Sequence, residues 1–79
     1  MSHTKVLDPF RLRATMADHW AAYLRENYRN AEEVSVVFGV RFQTALNWWQ
    51  GANKPSGDVV AHEVMREPQR FAAYMRRHV

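Results

Sequence analysis

No cysteine occurs among the 79 residues. That excludes disulfide staples and thiolate metal sites, and it fits a reducing, cytoplasmic compartment. Only three glycines are present, none arranged as a loop that cradles phosphates. No apolar run approaches the roughly 20 residues that a membrane-spanning helix needs. The opening MSHTKVLD lacks the apolar core of a signal peptide. Sustained alternation of apolar and polar residues is missing too, so no sheet is expected. Neither repeats nor low-complexity tracts nor a long linker divide the chain. It reads as one domain over residues 8–79, preceded by a flexible N-terminal arm at residues 1–7.

What is present is burial capacity and arginine. A chain this short has a marginal core, and its 47% hydrophobic residues, ten aromatics among them, must supply the stability. The net charge is +3, and nine of the eleven basic residues are arginine. A basic domain invites an anionic partner, and arginine suits bidentate contacts to phosphate or guanine. Composition permits nucleic-acid binding without establishing it.

Asp8-Pro9 starts a first helix, with Asp as N-cap and Pro at the first helical position, where its missing N–H costs nothing. Phe10, Ala14, Ala17, Ala21, Leu24 and Tyr28 follow helical spacing, and Met16, Trp20 and Tyr23 form a second apolar row beside them. So wide an apolar face is expected to be covered from two sides within a bundle, a dimer surface being the alternative. Asn30 caps a second helix, and Glu33 completes a capping box with it. Val34, Val37 and Phe38 give that helix its inward face. Gly39 ends it, because glycine takes the left-handed backbone of such a turn without strain.

A third helix runs from about Arg41 to Trp49 and closes at Gln50-Gly51. After the loop Ala52-Asn53-Lys54-Pro55, Ser56 caps a fourth helix spanning Gly57 to Arg66. Pro68 breaks the chain and opens a fifth, on which Phe71 pairs with Met75 at i,i+4. The expected fold is all-α, a compact bundle of five helices.

Residues from about Ala31 to Val64, roughly two-fifths of the chain, resemble the Cro/repressor-like (XRE-type) helix-turn-helix family. The resemblance rests on Val34, Ser35, Phe38, Gly39, Val40, Ala45 and Trp48, then Gly51 and the Lys54-Pro55-Ser56 linker. Ser35 stands where the family prefers Ala, and Ala45 where a branched aliphatic packs, so Trp48 or Trp49 is expected to fill the space. Family membership implies a helix-turn-helix formed by helices two and three, sequence-specific binding of double-stranded DNA, and often dimerisation on a palindromic operator. It points to a bacterial or phage-type transcription regulator.

Helical periodicity sorts the third helix by face. Thr44, Ala45 and Trp48 point at the core, and Trp49 lies at its edge. Gln43, Leu46, Asn47 and Gln50 lie on the opposite, solvent-facing side, with Arg41 and Phe42 at the leading end. Gln and Asn amides pair bidentately with adenine, and Leu46 or Phe42 could meet a thymine methyl. These six residues are the candidate base readers. Arg29, Asn30, Arg41 and Lys54 are the candidate phosphate contacts, helped by N–H groups at the two helix starts. Arg76-Arg77-His78 reads as a favourable arrangement at the negative end of a helix dipole, with a backbone-binding tail as the alternative.

Catalytic and metal chemistry find no footing. His62-Glu63 begins like HExxH, but Arg66 occupies the second ligand position. His3, His19 and His78 have no ligand spacing, no Ser sits in a nucleophile elbow, and no metal, cofactor or small-molecule ligand is implied. Two rival readings keep the same shape. One is a protein-interaction module, favoured by Arg41 being the only base on the third helix beside Phe42, Leu46 and Trp49. The other is the antitoxin of a toxin pair. A homodimer or a larger protein partner fits any of them.

Overall fold

A computed structural model describes residues 8–79. Five helices follow one another: α1 (Pro9–Asn27), α2 (Ala31–Phe38), α3 (Phe42–Trp49), α4 (Gly57–Arg66) and α5 (Pro68–His78). There is no strand among the described residues, and no helix long and apolar enough to cross a membrane. The all-α, five-helix bundle is as the sequence leads one to expect. The arm expected at residues 1–7 lies outside the described residues.

Local chemistry sets the helix starts, with two departures from the sequence reading. The Asp8 carboxylate accepts from the N–H groups of Phe10 (2.9 Å) and Arg11 (3.3 Å), so α1 begins as a capped, Pro-led helix. Asn30 caps α2 by accepting from the Glu33 N–H (2.9 Å). Glu33, however, reaches back to the N–H of Arg29 (2.7 Å), one residue earlier than a capping box requires. Ser56 occupies the N-cap of α4 by position, yet its hydroxyl donates to the Asp58 carboxylate instead of capping backbone. That bond and neighbouring backbone N–H groups hold Asp58 below the ordinary carboxylate range.

Aromatic rings build the core. Trp20 lies at its centre, edge-on to Phe38, Trp48 and Phe71 at centroid distances of 5.7, 6.0 and 6.2 Å. Tyr23 meets Phe71 (5.3 Å) and Tyr74 (5.5 Å), so α5 runs beside α1 in the same direction, and Arg77 closes the far end on Glu26 (3.3 Å). Edge-to-face pairs of this kind add about 0.5–1.5 kcal/mol each beyond the area they bury. The C-terminal half of α1 is therefore covered by α3 and α5, as its width implied. Its first half is not. Phe10 is 74% exposed and Ala14 is exposed, so the expected inward row begins only at Met16 and Ala17.

A polar cluster ties α4 and α5 to α1. Glu63 is completely buried. It accepts from the Tyr23 hydroxyl and, at 2.9 and 3.0 Å, from the Tyr28 hydroxyl. The guanidiniums of Arg66 (3.6 Å) and Arg70 (3.5 Å) balance its charge. Both arginines also donate to the Tyr28 oxygen, at 2.8 and 3.3 Å. Tyr28 can face this cluster because α1 ends before it: its backbone is extended, and its N–H closes the last turn on Leu24 (2.8 Å).

Burial, and then the bond donated to Glu63, push the Tyr28 hydroxyl up to about 12, and Tyr23 is raised for the same reasons. The unfolded tyrosine value lies near 10. The folded state disfavours the phenolate, so the contribution is complete below a pH of about 10 and lost as the pH rises through about 12. The urea midpoint should accordingly fall over this window, and Tyr28→Phe should make the fall shallower. Identical slopes in the two proteins would show that Tyr28 does not carry the effect.

Candidate functional site

The segment from α2 through α3 is held by two matched helix ends. At the end of α2, Gly39 adopts φ +64°, the Val40 N–H bonds the Ser35 carbonyl (3.0 Å), and the Gly39 N–H bonds that of Val36 (3.4 Å). At the end of α3, Gly51 adopts φ +76°, Ala52 bonds Asn47 (2.8 Å) and Gly51 bonds Trp48 (3.0 Å). Both are Schellman closures, in which a left-handed residue turns the chain back onto the carbonyls of the last helical turn. Arg25 of α1 donates to the Trp49 carbonyl, placing a cation at the negative end of α3. A Cβ at Gly51 would lie 3.4 Å from the Asp18 carboxylate of α1, an ordinary contact, so its positive φ is what favours glycine there.

The inner face of α3 is as expected. Ala45 and Trp48 are buried, Thr44 is half-buried, and Trp49 sits at the core edge. Trp20 and Phe38 both contact the Trp48 ring, so aromatic bulk occupies the space beside the small Ala45.

The outer face differs from its expected form. Arg41, Phe42, Gln43 and Gln50 are exposed, but Leu46 and Asn47 are only half-exposed, and Leu46 packs against the core. The reason is angular. At about 100° per residue, Gln43 and Gln50 stand opposite Ala45 and Trp48, whereas Leu46 and Asn47 lie to either side of that outer line, each turned further toward the core. Leu46 thus joins Phe42 and Trp49 as an apolar flank instead of standing among the amides. Gln43 donates to the Asn47 side-chain oxygen (2.9 Å), so the two candidate amides form one hydrogen-bonded pair.

The four candidate phosphate contacts are not equivalent. Arg41 and Lys54 are exposed and take part in no ion pair among the described residues. Arg41 stands at the start of α3, where no side chain caps the helix and the first N–H groups remain open. Arg29 is paired with Glu33 (3.8 Å), and the Asn30 side chain is committed to capping α2. The first turn of α2 also carries Glu32 and Glu33. Two carboxylates there already satisfy the helix dipole and oppose an anion.

Sequence reading missed two features. One is Val36, 81% exposed on α2, just across the turn in sequence from Phe42, which was expected at the leading end of α3 and is 48% exposed. The one signal for Val36 was that it does not fall on the inward row of its helix. The other is Glu63, whose sign was two arginines placed three and seven residues later. Among the described residues, no group of His, Asp and Glu is gathered in a way that could hold a metal ion. Comparison with protein-family models, with curated proteins and with solved structures finds no match.

Gly39 offers a test of this scaffold. A methyl group there would meet no atom within 4 Å, so substitution acts through the backbone alone. Gly39→Ala should lower stability by about 1 kcal/mol, and Gly39→Asn by less, since Asn tolerates the left-handed region. Chemical denaturation of both variants checks this, and a neutral Gly39→Ala would contradict the assigned turn.

Proposed function

We propose that this chain is a double-stranded DNA-binding domain of the Cro/repressor-like helix-turn-helix kind, acting in transcription regulation in the cytoplasm. The observation carrying this reading is the outer side of α3, where Gln43 and Gln50 stand opposite the buried Ala45 and Trp48 and Gln43 is bonded to the half-exposed Asn47 beside them. In this mode α3 lies in the major groove with its N-terminus leading. The joined amides present donors and acceptors to an adenine edge, and Phe42 can meet a thymine methyl. Arg41, the open N–H groups at the start of α3, and Lys54 hold phosphates on either side. Arg29 and Asn30 contribute less, because Glu33 and the cap of α2 occupy them.

A second reading has its own support. Val36 and Phe42 expose apolar surface on either side of the turn, and a groove-reading helix gains little from Val36. A protein partner gripping α2 and α3 would use both.

Anisotropy titrations of labelled duplex at several salt concentrations separate the two readings. DNA binding predicts affinity falling steeply with salt, each neutralised phosphate adding about 0.9 to the log–log slope. Lys54→Gln should reduce the slope by roughly one without changing sequence preference. Absence of measurable affinity at low salt would transfer the assignment to the protein-binding reading. On a site obtained by in-vitro selection, Gln43→Ala and Asn47→Ala should each weaken binding by about 1–3 kcal/mol. Because the two amides are joined, the double variant should lose less than the sum of the single losses. Full additivity would mean that they read separate bases.

A further inference from the structure

Helix α4, Gly57-Asp-Val-Val-Ala-His-Glu-Val-Met-Arg66, is turned against its own apolar pattern. Val60, Ala61, Val64 and Met65 cluster on one side of a helical projection, and a helix oriented by hydrophobic burial would direct that side inward. The structure instead buries Val59 and Glu63, with Val60 half-buried between the two sides and Ala61 exposed. Val64 is exposed, and Met65 is 78% exposed. At about 100° per residue, the buried direction and the apolar direction differ by roughly 150°, close to a half turn. The partners of Glu63 that lie outside α4 are Tyr23 and Tyr28 of the first helical segment and Arg70 of α5.

We infer that the rotational register of α4 is set by capture of the Glu63 carboxylate and not by apolar packing, so that α4 has a second register available, with Val64 and Met65 inward and Glu63 in solvent. The physical reason is an asymmetry. A buried carboxylate is tolerated only when its lone pairs are bonded and its charge is paired. With the two hydroxyls and the guanidinium in place, turning Glu63 inward satisfies all of these groups at once, at the expense of two apolar side chains. Without them the charge cannot remain buried, and the helix's own pattern then favours a rotation of close to a half turn. A single buried polar group that fixes the register of a packed helix is an established device. Here it keeps an apolar stripe displayed on the surface for as long as the cluster is intact.

Because the chain has no cysteine, one introduced thiol reports on the register without interference. Met65→Cys is made in three backgrounds: the parent, Glu63→Leu, and the triple variant Tyr23→Phe, Tyr28→Phe, Arg70→Met, which removes every partner of Glu63 outside α4. Labelling by a maleimide is followed at low reagent concentration, with helicity measured by circular dichroism. The thiol should react rapidly in the parent. It should react equally rapidly with Glu63→Leu, where an apolar side chain keeps the observed register. In the triple variant it should react at least tenfold more slowly while helicity is retained. Rapid labelling in a folded triple variant would show that packing sets the register. An unfolded triple variant would show that no second register exists. Either result overturns the inference.

Discussion

One carboxylate buried without access to water constrains most of this small protein. Moving such a charge out of water carries a penalty of several kcal/mol even after relaxation, which a core drawn from only 79 residues cannot absorb unaided. The chain meets it with four groups brought from three separated places. Tyr23 comes from the middle of α1, Tyr28 from the extended residue just after it, and Arg66 and Arg70 from either side of the α4–α5 break. Each of these local features has its reason in the cluster. The end of α1 at Asn27 frees Tyr28 to turn, and Pro68 starts α5 close enough to bring Arg70 within 3.5 Å. Hydroxyls and guanidiniums bonded to an ionised acceptor make the strong class of hydrogen bond. Breaking any one of them leaves the remaining charge less well served, so the cluster couples the packing of α4 and α5 to α1.

The aromatic core works differently, by bulk and not by pairing. Trp20 touches residues from α2, α3 and α5, and so holds the α2–α3 segment and the C-terminal helix on one ring system. Ala45 is small where α3 crosses this system, which lets the Trp48 indole sit edge-on to both Trp20 and Phe38. The two halves of the interior meet at Tyr23, whose ring packs in the aromatic cluster while its hydroxyl reaches Glu63.

The five helices could be read from sequence because their punctuation is local. Asp8-Pro9, Asn30, Gly39, Gly51 and Pro68 each act within a few residues, and all of them mark the boundaries that the structure has. The inner face of α3 was legible for a related reason: Ala45 and Trp48 are three residues apart on a strongly sided helix. The exposed first half of α1 was not legible, since periodicity names a face but cannot say how far a neighbouring helix extends along it. Leu46 failed at the level of angle, where a flank of the helix was read as its ridge. Glu63 was invisible to a rule that places charge outside. Its burial depends on tyrosines 35 and 40 residues away in sequence, and no local pattern carries that distance.

Within the candidate site, rigidity and electrostatic asymmetry point the same way. Helix α3 is held after the left-handed turn at Gly39, at its own end by Gly51, along its inner face by Ala45 and Trp48, and at its last turn by Arg25. A helix fixed on so many sides loses little further freedom on docking, which favours affinity in any binding mode. The starts of α2 and α3 are unlike each other. The first is filled by Asn30, Glu32 and Glu33, whereas the second has open N–H groups and Arg41. An anion approaching this surface is therefore repelled by one helix start and attracted by the other, which sets the polarity of any backbone contact. A protein partner would be guided instead by Val36 and Phe42, which bear no charge and impose no such polarity. The two readings thus differ in what orients the complex: field lines converging on the start of α3 in one, and apolar area spread across the turn in the other.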